Sequence, residues 1–219
     1  LATSMRTMPP AISCRKIICR RRVGIMSLRK RAGRQKLAND LNIGAHKKQL
    51  RQEMLRQRRA QAPAARAAAS ELIAEQLLHS PAWAAALTVV AYMSLPDEVA
   101  TRALLTAALA QGKHVVLPVA RAGVLTWYAM PGLDRSLFTP GAFGIAEPRA
   151  TLPQWQPQAA ATPVMWLVPG VAFDRTGRRL GRGAGYYDRA LRAAGAVHGT
   201  IGLAFAGQLC DHVPAEDHD

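Results

Sequence analysis

VMWLVPGVAFDRTGRRLGRGAGYYDRALRAA, residues 164–194, is a strand, a glycine loop and a helix in succession. The apolar run 164–173 predicts a strand over 165–173, and the pattern over 186–194 predicts a helix. Between them Gly181, Gly183 and Gly185 alternate among Arg178, Arg179 and Arg182. Alternating glycines let successive backbone N–H groups turn toward one point. The helix start adds unpaired N–H donors and a partial positive charge. Arginines supply fixed charge and forked donors. The sum describes a cradle for a polyphosphate, with Asp188 in the first helical turn as a candidate Mg²⁺ ligand. The plainer reading is a tight turn solvated by arginines. The ordered succession of strand, glycines, arginines, helix start and carboxylate outweighs it. No Gly-Lys-Ser/Thr follows the glycines, so this is not a Walker loop. The sixth-position glycine of a dinucleotide fingerprint is also missing.

Outward from this stretch the chain alternates strands and helices. Helices are predicted over 47–59 and 64–78, separated by Pro63, with Leu72, Ile73, Leu77 and Leu78 of the second facing inward. A strand over 87–95 precedes a helix over 99–111. Strands over 114–120 and 125–130 form a hairpin through Arg121-Ala122-Gly123. Residues 131–163, rich in Pro and Gly, read as a long loop region. A last strand is predicted over 200–206. This order predicts an α/β layered sandwich, a largely parallel central sheet flanked by helices. Ligands of such sheets bind beyond the strands' carboxyl ends, where 96–98 and 174–188 would both lie.

The 219 residues carry a net charge of +15, distributed unevenly. Residues 1–60 hold 17 Lys/Arg against 2 Asp/Glu, and the remainder holds 12 against 12. A nucleic-acid partner inferred from the overall charge would rest on one end of the chain. Residues 1–44 are basic and patternless, and the chain begins with Leu1. Three readings compete for them: a disordered nucleic-acid-binding tail, a transit peptide, or sequence upstream of the true start. The third is preferred, because no amphipathic face or interleaved aromatics appear. The division expected is therefore 1–44 as an extension, disordered or not native, and 45–219 as the catalytic domain. No apolar run reaches the ~18 residues of a membrane span. Three cysteines without metal spacing suit a reduced, cytoplasmic protein, with Cys210 as a buried small hydrophobe.

Other candidates are balanced on the residues alone. Asp97 and Glu98 follow a strand and suit a substrate's N–H groups, or equally the dipole of the next helix. Lys47 and Arg51, four apart, share a helix face and could reach phosphates, although a solvated face is the ordinary reading. Trp127 and Tyr128 suit core packing better than ring binding. The acidic C-terminus suits a frayed polar tail, or a carboxylate completing a Mg²⁺ shell.

Six segments together resemble the 5-formyltetrahydrofolate cyclo-ligase family. They are KKQLR at 47–51, YMSLPDE at 92–98 with Thr101, FGIAEP at 143–148, VPGVAFD at 168–174, GRRLGRGAGYYD at 177–188 and VPAEDHD at 213–219. The resemblance spans about 46–219. It implies an ATP- and Mg²⁺-dependent closure of 5-formyltetrahydrofolate to 5,10-methenyltetrahydrofolate, with ADP and phosphate released. It implies a fold related to the sugar-phosphate isomerase and CoA-transferase class. By resemblance, Lys47, Arg51, Arg179, Leu180, Gly181, Arg182, Gly183, Ala184, Gly185, Tyr186 and Tyr187 bind ATP. Met93, Glu98, Phe143, Arg182 and Tyr186 contact the folate, and Arg182 and Tyr186 stand at the reacting formyl group. Asp188 and Asp219 serve the metal. A monomer with no membrane or nucleic-acid partner is expected. Two departures stand out. Ala184 occupies a place where many members carry Lys or Gly. The chain also stops at Asp219, where members continue, so a truncated C-terminal edge is expected. Two rival readings remain: another phosphate or nucleotide enzyme on the same fold, and a nucleic-acid-binding protein acting through its basic N-terminus.

Overall fold

The computed structural model describes residues 32–141, 144–157, 163–194 and 199–215, with side chains from residue 42 onward. Five helices and eleven strands follow in chain order among these residues.

Strand β1 (Thr88–Val90) is the hub. It pairs in parallel with β2 (His114–Arg121) on one side and with β7 (Val164–Val168) on the other. Strand β10 (Thr200–Gly202) extends the parallel set beyond β7. On the opposite edge β3 (Val124–Met130) and β6 (Gln154–Trp155) join antiparallel, giving the order β10-β7-β1-β2-β3-β6. The expected mostly parallel sheet is present, with an antiparallel edge.

Period-two alternation assigns the two faces of this sheet. Val89, Val115, Leu117, Met165 and Leu167 point to one side, among Leu77, Leu104 and Leu105. Val90, Val116, Val164, Trp166 and Val168 point to the other, where Ala190 and Leu191 pack. Helices α2 (Pro63–Leu78) and α4 (Arg102–Ala110) thus cover the first face, and α5 (Tyr186–Ala193) covers the second. Burial on both faces explains the nearly continuous apolar runs of the parallel strands. The short α3 (Pro81–Ala85) follows α2, capped by the Ser80 hydroxyl, which accepts from the Trp83 N–H at 3.1 Å.

Several expected boundaries move. The first helix is longer than 47–59: α1 runs Ala32–Ala60. In α2, Ile73 and Leu77 are buried as expected, but Leu72 is exposed and Ser70 and Ala74 take inward positions. The strand expected over 87–95 is regular only at Thr88–Val90, and 91–95 continues as irregular chain, buried at Ala91 and Tyr92 and half-buried at 93–95. The helix expected from 99 begins at Arg102, so Asp97 and Glu98 lie outside its first turn. Residues 131–163 hold β4 (Phe138–Pro140), β5 (Ala146–Pro148) and β6 rather than loop alone.

The apolar run 164–173 also divides. Pro169 and Gly170 end β7, and β8 (Ala172–Asp174) enters a second small sheet, ordered β11-β8-β9, with β9 (Arg179–Leu180) and β11 (Leu209–Cys210). Gly170 permits the turn, because a Cβ there would stand 2.3 Å from the Phe173 ring. The final strand is likewise short: after β10 comes a 3-10 turn at Ala206–Gln208. Ala172, Leu180 and Val213 of the second sheet region receive Leu50 and Met54 of α1. That contact lays α1 across the glycine loop.

Candidate active site

The chain moves from β1 to β2 in one direction and later returns to β7 on the other side of β1. The carboxyl ends of β1 and β7 therefore border a topological switch point, the usual crevice for a ligand. The 91–98 turn leaves one side of it, and Pro169-Gly170 leaves the other.

The glycine loop follows β9. Gly183 has φ +107° and Gly185 φ +66°, conformations that L side chains rarely adopt. Gly185 is the N-cap of α5, so the loop ends on unpaired helix N–H groups. Arg51 of α1 donates from Nε to the Gly181 carbonyl at 2.8 Å, fixing the start of the loop. Lys47, one turn earlier, is buried with about 8% exposure. The solvated-face reading of this helix therefore fails: the Lys47–Arg51 face is turned into the protein. Arg179 donates to the Pro169 carbonyl at 3.1 Å and pairs with Asp188. Its guanidinium also lies over the Tyr187 ring, 5.8 Å from the centroid. Leu180 is core rather than surface, and its part in the loop is to anchor it. The Ala184 carbonyl accepts from Arg189 at 2.9 Å.

Tyr186 and Tyr187 divide their work. The Tyr186 hydroxyl accepts from the Gly123 N–H at 3.3 Å, tying α5 to the β2–β3 hairpin. In that hairpin Ala122 and Gly123 both have positive φ, as a two-residue turn demands. Tyr187 packs edge-on to Trp127 at 6.2 Å. Burial of its hydroxyl, reinforced by the nearby Glu98 charge, pushes its pKa well above the ordinary tyrosine value. Trp127 and Tyr128 are core, as their strand position predicts.

Across the crevice, Arg182 donates to Glu98 Oε1 at 3.2 Å and lies 3.7 Å from Asp97 Oδ1. The other Glu98 oxygen accepts from the Leu95 N–H at 3.1 Å. Since α4 begins only at Arg102, the dipole reading of these two carboxylates falls away. Their shared partner is Arg182 of the glycine loop. Burial pushes the Asp97 carboxyl up, but the Arg58 hydrogen bond and the Arg58 and Arg182 charges outweigh it, and the net shift is downward. Met93 packs half-buried against the main core beside this turn.

Two features escaped the sequence reading. Arg58 is only about 2% exposed. It donates to Asp97 Oδ2 from Nε at 3.2 Å and from Nη2 at 2.8 Å, and to the Gly170 carbonyl at 3.4 Å. Its spacing was legible, seven residues past Arg51 and four past Met54 on one helix face. Asp174, fully buried, accepts through Oδ1 from the Thr176 hydroxyl and N–H and the Arg178 N–H, and through Oδ2 from the Val213 N–H. It holds together the loop's approach and the C-terminal segment. Phe143 and Asp219 lie outside the described residues. Arg51 is brought to Gly181, Arg179 to Asp188 and Arg182 to Glu98, while Tyr186 is held at the β2–β3 hairpin.

For Mg²⁺, the described residues hold no cluster of three or more His, Cys, Asp or Glu side chains. Asp188, half-exposed on the helix turn that follows the glycines and paired with Arg179, could offer one carboxylate to a Mg²⁺ ion. Such an ion takes one or two carboxylates and draws its remaining ligands from phosphates and water.

The 5-formyltetrahydrofolate cyclo-ligase family model matches residues 43–219. A 5-formyltetrahydrofolate cyclo-ligase of Mycolicibacterium smegmatis is 38% identical over 182 residues, covering 79% of this chain and 89% of the relative. That of Escherichia coli K12 is 30% identical over 171 residues, 76% and 92% of the two chains. The solved structure of Aquifex aeolicus 5,10-methenyltetrahydrofolate synthetase superposes with a TM-score of 0.66 at 30% identity, over 78% of this chain and 83% of that one. The Mycoplasma pneumoniae 5,10-methenyltetrahydrofolate synthetase, at 19% identity and TM-score 0.61, shares the fold over 78% and 92%.

Proposed function

The chain belongs to the 5-formyltetrahydrofolate cyclo-ligase family, and on that premise we propose that it closes 5-formyltetrahydrofolate to 5,10-methenyltetrahydrofolate at the expense of ATP. The observation that carries this reading is the Arg182–Glu98 contact at 3.2 Å. It brings a polyphosphate cradle and a pterin-matched carboxylate to the two lips of one crevice. A site for phosphate alone has no use for the second lip.

The chemistry follows from the substrate. A formamide oxygen is a poor leaving group. Its attack on the γ-phosphorus forms an O–P bond, breaks the bond to ADP and leaves an N5 iminium phosphate. The N10 lone pair then adds to the formyl carbon. The C–O bond breaks, phosphate departs with the electron pair, and the N10 proton passes to solvent. Phosphoryl transfer asks for positioning and charge neutralisation above all. The Gly181–Gly185 backbone and the N-terminus of α5 would direct N–H groups at the phosphates. Lys47 and Arg51 would approach them from α1, with Arg179 beside the loop. Arg182 would follow the transferring phosphoryl group, where developing charge makes a fixed cation most effective. Tyr186 would join it at the reacting carbon. Met93 would line the pterin pocket, Glu98 would accept its N–H donors, and Phe143 would cover the ring. Asp188 and Asp219 would hold Mg²⁺, which neutralises phosphate charge when bound. Ala184 brings no side-chain cation, so the arginines carry that duty.

Kinship of the layered sheet with the sugar-phosphate isomerase and CoA-transferase class belongs to the same reading. It is supported by the parallel β10-β7-β1-β2 core with its antiparallel edge. A monomeric, cytoplasmic enzyme is the form proposed. Among the described residues no helix is long and apolar enough to cross a membrane. The test is direct. Purified protein with ATP, Mg²⁺ and 5-formyltetrahydrofolate should generate the near-ultraviolet absorbance of the methenyl product, with one ADP per product. Absence of that absorbance with correctly folded protein would overturn the assignment.

A further inference from the structure

Arg58 is the most deeply buried cation in this region, and no step of the reaction uses it. Its guanidinium spans the switch point. Two N–H groups close on Asp97 Oδ2, at 2.8 and 3.2 Å, and a third reaches the Gly170 carbonyl at 3.4 Å. Glu98 Oε1 is 3.9 Å away. One side chain of α1 thus grips the turn after β1 and the turn after β7. The neighbouring Pro169 carbonyl holds Arg179, so the grip extends to the base of the glycine loop.

The charges of this cluster compete for Arg182. Asp97 and Glu98 are adjacent carboxylates, and Arg182 lies near both, at 3.7 and 3.2 Å. With Arg58 paired to Asp97, the turn presents about one net negative charge to Arg182. Without Arg58 it would present two. Arg182 is still 43% exposed, so it can leave this turn for a more strongly charged partner. Arg59 also approaches Asp97, at 3.7 Å, but is 66% exposed and screened by water.

We propose that Arg58 is a positioning residue for the cyclo-ligase reaction: by neutralising Asp97 and clamping it to Gly170, it fixes the folate-side turn and leaves Arg182 free to exchange Glu98 for the nucleotide's phosphates. The inference rests on the proposed function and adds to it a residue that touches neither substrate. The same exchange uncovers the carboxylate that the pterin needs, so one buried arginine serves both half-sites.

The test uses the full chain and four variants: Arg58→Met, Arg58→Lys, Asp97→Asn, and the double variant Arg58→Met/Asp97→Asn. In Arg58→Met, the unneutralised Asp97 retains Arg182, and KM for ATP should rise about tenfold. Adding Asp97→Asn removes the excess charge and should return that KM to within about threefold of the parent, while KM for the folate stays raised because the clamp is still gone. Arg58→Lys keeps the charge and loses the fork. It should leave KM for ATP nearly unchanged and raise KM for the folate severalfold, and it keeps the proposal testable if Arg58→Met does not fold. Calorimetric binding of a non-hydrolysable ATP analogue with Mg²⁺ reads the arginine exchange without turnover, so the proposal can fail separately from the assigned activity. Thermal unfolding of each variant accompanies these measurements. A lowered melting temperature with both KM values and the analogue affinity within twofold of wild type would overturn the proposal. So would a double variant that regains stability but not affinity for the nucleotide.

Discussion

Arg182 and Glu98 touch, yet Arg182 is assigned to both substrates and Glu98 to the folate alone, so their variants should carry different kinetic signatures. Arg182→Met removes a cation whose role grows as charge develops on the transferring phosphoryl group. A drop of about 10²–10³ in kcat is expected. Glu98→Gln removes a charged acceptor for the pterin N–H groups. KM for the folate should rise about tenfold, while KM for ATP should stay the same or fall because Arg182 loses a competing partner, and steady-state kinetics in both substrates distinguish the two patterns. Asp174 belongs to stability instead. Its four accepted hydrogen bonds cannot all survive an amide, so Asp174→Asn should cost about 1–3 kcal/mol. Burial pushes this carboxyl up, but the Thr176 hydroxyl and the Val213, Arg178 and Thr176 N–H groups outweigh it, and the net shift is downward. A carboxyl lowered on folding stabilises the protein above its unfolded value of about 3.9, and that contribution is lost as pH falls through the folded value. Urea unfolding between pH 3 and 7 should therefore show the gap between wild type and Asp174→Asn constant above about pH 5 and shrinking below pH 4. At this scale the sequence exposed Arg182, Asp188 and the Lys47–Arg51 pair through their neighbours in the motif. The Arg58–Asp97 and Asp174–Val213 links stayed hidden because each joins residues 39 apart along the chain, although the helix face of Arg58 and the local Thr176 and Arg178 partners of Asp174 were within reach of the sequence.

The loop at the site depends on glycine, and comparing Gly183 in it with Gly112, at the amino end of β2 away from the site, separates function from stability. Gly183 has φ +107° within the exposed loop, and the Arg51 guanidinium would lie 3.8 Å from an added Cβ. Gly112 has φ +68° just after α4, with open space around it. Both substitutions to alanine should cost about 1–3 kcal/mol of backbone strain. Only Gly183→Ala should also raise KM for ATP, by an expected tenfold, since only its N–H group belongs to the proposed phosphate cradle. Melting temperatures and KM values measured on the pair decide this. Element type was legible wherever a periodic run was long, as in α2 and β2. Element ends were not. The run 164–173 is uniformly apolar because it is buried throughout, and burial alone does not say that Pro169 and Gly170 divide it between two sheets. Likewise 91–95 is mostly apolar yet irregular, because the chain leaves the sheet there to build the acidic turn.

For the whole molecule, alternating strands and helices were enough to predict the layered, mostly parallel sheet. The antiparallel edge beyond β2 followed from the hairpin at 121–124, and the pairing of β6 there had no local signal. The uneven charge is the feature of widest scale, and α1 shows that it does not stop at a functional boundary. Within one continuous helix, Lys47, Arg51 and Arg58 face the body of the protein, and Arg56 and Arg59 face solvent. The apolar residues by which α1 packs on the second sheet begin at Leu50, and the family match begins at residue 43. The basic residues before that point accordingly contribute charge and no identified part of the site. Removing residues 1–41 should leave kcat and both KM values within about twofold of the full chain. Any affinity for RNA or DNA, steeply salt-dependent because it is carried by phosphate contacts, should fall sharply in the same truncation. Filter binding across a salt series, beside the absorbance assay, reads both. Turnover lost together with nucleic-acid binding would show that the basic segment serves the catalytic site, and the separation drawn between the α1 cations and the residues before them would be wrong.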